Sequence, residues 1–267
     1  MRALSSLRLI LIGLLAGEGL LAILLGPGSG ASAAANATAA WRPVLVELFT
    51  SEGCSSCPPA DALLARLDET QSVPGAQVIA LSEHVTYWNQ DGWHDPFSMD
   101  AMTDRQKRYQ DRFGLNDVYT PQVVVDGAAQ MVGSDERKLT AAVAQAATAT
   151  KAELTIQDAQ WSGNAVKFSV KGAADTKTVL VAALADDSAQ TAVKAGENKG
   201  RNLRHVAVVR ALEEMGKGAD DGRALTLKAP ASKPGEAEAS GPMRLVVFVA
   251  DRHNGHVLAA TERTISR

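Results

Sequence analysis

A strand that hands over to a helix through a Cys-x-x-Cys turn constrains this chain more than any other stretch. Residues 44–67 read VLVELFTSEGCSSCPPADALLARL. The run of Val, Leu and Phe ending at Thr50-Ser51 has the pattern of a buried strand. Beyond the cysteines, Ala60, Leu63, Leu64 and Leu67 recur at helical spacing. Pro58-Pro59 fit the first turn of that helix, where N–H groups have no intrahelical partner. Cys54 and Cys57, the two cysteines of the chain, therefore stand at a helix N-terminus. Free N–H groups and the helix dipole there favour thiolate over thiol. The N–H groups of Ser55, Ser56 and Cys57 would face a thiolate at Cys54, so Cys54 is expected as the exposed nucleophile and Cys57 as the resolving thiol one turn in. Half of a zinc site is a competing reading, but such a site needs further ligands. Only His84 and His94 lie within reach in this half of the sequence. An inert structural disulfide is the other, and so short a loop restrains the unfolded chain little. Redox chemistry is preferred to both.

The N-terminus reads as a targeting segment. Arg2 and Arg8 flank a short basic region, Leu9–Leu25 is largely aliphatic, and Ala31-Ser32-Ala33 offers a small-x-small cleavage site. A membrane anchor is the alternative. Glu18, the scattered glycines and Gly26-Pro27-Gly28 weigh against it, so residues 1–33 are assigned to a signal peptide, removed on export. Export puts both cysteines in an oxidising compartment. The 27 basic and 30 acidic side chains give a net charge of −3, which offers nothing to nucleic acid or to an anionic membrane surface.

Residues 41–150 are expected to form a first domain. Gln77–Leu81 is a second apolar strand, leading into Glu83 and His84. These emerge at the same sheet edge as Cys54 and are candidates for proton handling, with a loop-anchoring role for His84 equally favoured. Tyr87, Trp88, Trp93 and Phe97 form an aromatic cluster read as packing the following loop, with a substrate groove as the less favoured alternative. Met99–Phe113 is helical and Gly114 ends it. Thr120-Pro121 enters the β-branched run Gln122–Val125. Asp126-Gly127 turns the chain into a hairpin, and Ser134 or Asp135 caps a last helix. The order is β-α-β-α-β-β-α.

With CSSC at a helix start and Thr-Pro entering a later strand, this order resembles the thioredoxin fold. The segments FTSEGCSSCPPAD, SEHVTYWNQDGWHDPFS and YTPQVVVDG further resemble the secreted thioredoxin-like proteins of domain-of-unknown-function family 1223. That resemblance implies a cis bond before Pro121, facing the cysteine pair, and a substrate-backbone contact at Thr120. It also implies a thiol–disulfide role.

Residues 151–267 change to alternating patterns. Leu154–Trp161 and Ala165–Val170, Lys177–Ala185, Gln190–Lys194, Arg204–Leu212, Arg223–Lys228, and Met243–Asp251 with Val257–Ile265 around Asn254-Gly255 read as short strands. They suggest a β-sandwich with a mobile loop at 229–242. The expected fold class is thus an α/β thioredoxin-like domain followed by an all-β sandwich-like domain. Gly196–His205 concentrates Lys199, Arg201 and Arg204, and is read as a turn whose arginines brace neighbouring strands rather than as an anion or partner contact. His253 and His256 flank the last hairpin turn and are expected to face solvent.

The function expected is that of an exported thiol–disulfide oxidoreductase without a cofactor, acting on thiol- or disulfide-containing protein clients or on small thiols and reset by a redox partner. No nucleic acid and no stable membrane association after cleavage are expected. Two readings from other classes remain: an envelope copper- or soft-metal-binding protein using Cys54, Cys57 and His84 or His94, and a non-catalytic interaction protein.

Overall fold

The computed structural model describes residues 41–172, 175, 177–218, 222–229 and 241–266. The expected signal peptide and residues 230–240 of the expected loop lie outside them.

Strand β1 (Arg42–Thr50) and strand β2 (Ala76–His84) run parallel, joined by helix α1 (Pro58–Thr70). Helix α2 (Asp100–Phe113) follows and ends at Gly114, whose φ of 62° accommodates the left-handed cap. Strands β3 (Gln122–Val125) and β4 (Ala129–Val132) form the hairpin, with β3 antiparallel to β1. Helix α3 (Glu136–Ala146) is capped by Asp135, whose side chain accepts from the Lys138 N–H. Each of these elements follows the periodicity of its residues. α1, for example, buries Ala60, Leu63, Leu64 and Leu67 on one face.

Beyond residue 150 the elements among the described residues are strands: β5 (Leu154–Ser162), β6 (Ala165–Gly172), β7 (Thr178–Ala192), β8 (Asn202–Lys217), β9 (Leu225–Lys228), β10 (Met243–Asp251) and β11 (Val257–Ile265). Their pairing overturns the expected fold class. The protein is not an α/β thioredoxin-like domain followed by a β-sandwich. It is mostly β, 46% strand and 18% helix among the described residues, and built on one large mixed sheet. That sheet has 8 strands in the order β11-β10-β7-β8-β2-β1-β3-β4, and only β5, β6 and β9 form a separate sheet. β8 is the join: it lies parallel to β2 at Ser82↔Val208 and antiparallel to β7. The physical reason lies at the outer edge of β2. A strand buried on both faces must have its edge N–H and C=O groups paired, and a strand from the second half supplies the partner. The stretches read as separate strands at Lys177–Ala185 and Gln190–Lys194 are one continuous β7.

Over Thr178–Asp186 both faces of β7 are buried, which explains the apolar run Val179–Ala185. Val179, Val181 and Ala183 join the core that contains α1 and α3, while Leu180, Ala182 and Leu184 pack with residues of the β5-β6-β9 sheet. A buried seam ties the hairpin turn of the first half to β11. Asp126 accepts from the Leu45 N–H (2.9 Å) and from Lys151 Nζ (2.7 Å), and its carbonyl accepts from the Val257 N–H (2.8 Å). Gly127 sits in the same turn at φ +62°, and a Cβ on it would stand 2.1 Å from the Gly255 carbonyl oxygen.

Candidate functional site

Cys54 and Cys57 are joined by a disulfide at the start of α1. Cys57 occupies the N-cap with proline at the first helical positions. The turn is closed by Cys54 N–H to the Ser51 carbonyl and Cys57 N–H to the Cys54 carbonyl, each 3.2 Å. Both cysteines are 0% exposed, which corrects the expectation of an exposed Cys54; the exposed residues are Ser55 and Ser56. The Ser56 hydroxyl lies 3.3 Å from Cys54 Sγ.

Two walls flank the pair. The connection between β7 and β8 forms the first. Asn198 Nδ2 donates to the carbonyls of Glu52 (2.8 Å) and Cys54 (2.9 Å), and Glu197 Oε2 accepts from the Ser55 N–H (3.0 Å). The second wall is Trp88. A Cβ on Gly53 would stand 3.1 Å from the Trp88 Cβ, and Trp88 Nε1 donates to Thr120 Oγ1 at 2.7 Å. The Thr120–Pro121 bond is cis, and Pro121 packs with Ala60 of α1 and Leu48 of β1 around Gly133. Tertiary contact thus brings Thr120, Pro121 and the start of α1 together.

Beneath the pair lies a buried polar cluster. His84 Nδ1 and Asp95 Oδ2 are 2.7 Å apart. The Asp95 carboxyl also accepts from the N–H groups of Glu52 and Phe97. Burial works to raise its pKa, but the His84 charge and these hydrogen bonds outweigh burial and hold it below the usual range. The His84 ring meets the His205 ring edge-on, with centroids 4.6 Å apart. His205, from β8, stands between two carboxylates: Nε2 is 3.4 Å from Glu52 Oε1 and Nδ1 is 3.7 Å from Asp61 Oδ1. These are ion-pair distances without hydrogen-bond geometry, since both ring nitrogens and both Asp61 oxygens lack a hydrogen-bond partner. Burial lowers the His205 pKa, but Asp61 and Glu52 overcome it and push it up to about 10. Asp61 is one turn beyond Cys57, its N–H on the Cys57 carbonyl at 3.1 Å, so the two side chains share a helix face.

The remaining sequence candidates are placed as follows. Glu83 faces the opposite side of the sheet from His84, as successive strand residues must. It lies with Glu47, Arg105 and Tyr109, where Arg105 is 3.5 Å away, and burial followed by the Glu47 charge drives its pKa well up. His94 is exposed and lines a small cleft with Thr86, Asn89 and Asp100. Among the described residues, no group of three or more His, Cys, Asp or Glu side chains is arranged to hold a metal ion. The aromatic residues pack the loop after β2. Trp93 Nε1 donates to Glu52 Oε2, Phe97 contacts both histidine rings, and Tyr87 OH donates to Gln106. Lys199, Arg201 and Arg204 are exposed, as are His253 and His256.

Glu52, Asp61, Asp95, Glu197, Asn198 and His205 were not singled out from the sequence. Asp61 carried a signal: it is an acid on the apolar face of α1. Asn198 and His205 lay within the polar stretch noted for its basic residues, but a periodic pattern does not tell which member of a loop turns inward.

The family profile described as "Protein of unknown function (DUF1223)" matches residues 45–250. Among solved structures, protein AGR_C_4864 from Agrobacterium tumefaciens aligns at 26% identity and a TM-score of 0.58, over 82% of this chain and 92% of that one. A domain of the outer membrane lipoprotein Omp28 from Porphyromonas gingivalis aligns at 16% identity and a TM-score of 0.29, over 44% of this chain and 89% of that one. No curated protein matches.

Proposed function

The chain belongs to the DUF1223 family, and from the chemistry of its own site we propose that it is an exported thiol–disulfide oxidoreductase. The observation that carries this reading is the Cys54–Cys57 disulfide at a helix start, with the cis Thr120–Pro121 bond beside the same helix turn. A disulfide so placed leaves a thiolate at a helix N-terminus when it is cleaved, where it is stabilised as a leaving group.

When a client dithiol is oxidised, a client thiolate attacks Cys54 Sγ. The Cys54–Cys57 bond breaks, a mixed disulfide forms, and Cys57 departs as a thiolate that takes up a proton. The second client thiolate then attacks the client sulfur of the mixed disulfide and releases Cys54. The client loses two electrons and the Cys54–Cys57 pair gains them. In the reverse direction Cys54 attacks a client disulfide and Cys57 resolves the intermediate. Asp61, buried one turn behind Cys57 with both oxygens free of hydrogen bonds, is placed to exchange the Cys57 proton. Thr120, beside the same turn, is the residue we assign to the client-backbone contact. The clients are thiol- or disulfide-containing proteins, and a second redox partner resets the pair. Export is supported by the apolar Leu9–Leu25 stretch and the Ala31-Ser32-Ala33 site. No helix among the described residues is long and apolar enough to cross a membrane.

Cys54→Ser tests the reading in two assays, reduction of insulin by dithiothreitol and oxidation of a dithiol peptide. Loss of essentially all catalysed exchange is expected. An unchanged rate in both assays would remove the proposal.

A further inference from the structure

Thiol–disulfide exchange has no need of a carboxylate on the backbone between the two cysteines, yet Glu197 puts one there. Its Oε2 accepts from the Ser55 N–H at 3.0 Å, across 142 positions of sequence. The same connection is anchored by Asn198, which is 0% exposed and donates to the carbonyls on either side of Gly53. It is held from behind by Trp93, whose Cβ would stand 2.9 Å from a Cβ on Gly196. Cys54 beneath it is 0% exposed.

We propose that the β7–β8 connection is a brake on Cys54, with Glu197 and Asn198 as its positioning residues. The Glu197 carboxylate occupies the Ser55 N–H that would otherwise stabilise a Cys54 thiolate, and Asn198 ties the connection to the Cys54 backbone. This inference rests on the redox reading above and adds a means of controlling it. A thiol reacts in proportion to its thiolate fraction and its access. An anion already bound at the helix start withdraws one N–H and sets a like charge beside the sulfur, and both effects disfavour the thiolate.

The contact is felt from the other side too. The hydrogen bond from Ser55 holds the Glu197 carboxyl below its usual range. A depressed carboxyl pKa means that the contact is intact above the ordinary carboxylate range and lost only as pH falls through the lowered value. At neutral pH the brake is on. A client that brings its own acceptor to the Ser55 N–H displaces Glu197 and releases Cys54 in the act of docking. Other ionisable groups near this segment include Lys194, Lys199 and Arg201 on the connection itself, Asp91 beside Gly196, and Glu52, Asp61, His84, Asp95 and His205 below it, and substitution of Glu197 leaves them in place.

The test uses the reduced full chain with Cys57→Ser, so that Cys54 is the sole thiol. Two quantities are measured with and without Glu197→Gln: the ultraviolet thiolate titration, and the rate of alkylation by iodoacetamide, in which the S–C bond forms and iodide leaves. Glutamine keeps an acceptor oxygen and removes only the charge. The thiolate midpoint is expected to fall by about 0.5–1 pH unit, with alkylation at neutral pH about 3–10-fold faster. The difference should shrink in molar salt. Glu197→Ala in the otherwise unaltered oxidised chain should also be reduced by dithiothreitol about threefold faster or more, because cover is lost along with charge. An unchanged or raised midpoint in Glu197→Gln overturns the brake. If Cys54 becomes more acidic but no variant catalyses exchange, the oxidoreductase reading falls and the brake stands. If exchange is catalysed and the midpoint does not move, the brake alone falls.

Discussion

His205 ties the stability of the fold to pH. His205 is held protonated by Asp61 and Glu52, its pKa raised to about 10 against an ordinary value of about 6.5. A raised folded-state pKa stabilises the fold fully below the unfolded value, and the contribution is lost as pH rises through the folded one. The melting temperature should therefore decline from about pH 6.5 to about pH 10 more steeply in the native protein than in His205→Asn; parallel profiles would assign the decline to other groups. In the proposed exchange chemistry, Asp61 is the group that takes and returns the Cys57 proton. Asp61→Asn should slow catalysed exchange at neutral pH by about tenfold or more, and should also lower the thermal midpoint because it leaves buried His205 without one of its two carboxylates. Undiminished exchange by Asp61→Asn, assayed where the variant is fully folded, would make Asp61 purely structural.

At the scale of elements, two interactions decide how strands and helices meet. Arg105 of α2 is buried against Glu47 of β1, with Nε to Oε1 at 2.6 Å, and its guanidinium lies 5.3 Å from the Phe248 ring centroid on β10. Removing one partner of a buried ion pair strands the other without compensation. Arg105→Met should cost about 3–5 kcal/mol in urea unfolding, although methionine fills most of the volume. The Asp126-Gly127 turn is the second. Any side chain at Gly127 meets the Gly255 carbonyl and must also adopt a positive φ. Gly127→Ala should lose about 1 kcal/mol or more, seen as a lower denaturation midpoint with an unchanged slope.

For the whole molecule, the long sheet makes the two halves of the sequence one cooperative structure. Ala39–Arg267 forms a single compact unit, β8 pairs with β2, and the cysteine segment is held by Glu197 and Asn198 from the second half. A fragment spanning 41–150 should lack a cooperative melting transition, because it exposes the outer edge of β2 and leaves Asp61 and Glu52 without His205. A sharp, reversible transition in that fragment would show that the first half folds alone.

The sequence by itself determined what depends on neighbours along the chain. The strand, Cys-x-x-Cys and helix succession, the helix stop at Gly114, the entry of Thr120-Pro121 into β3, and the turns at Asp126-Gly127 and Asn254-Gly255 all follow from periodicity and from backbone preferences that act over a few residues. Tertiary structure alone decided which strands pair, and so decided the fold. The apolar runs in β7 and β8 mark them as strands but carry no address, because edge hydrogen bonds are the same for every partner. The site divides in the same way. Cys54 and Cys57 were legible because their spacing and helix position are local. Asn198 and His205 became part of the site only when β8 was laid against β2, and the burial of Cys54 followed from that pairing.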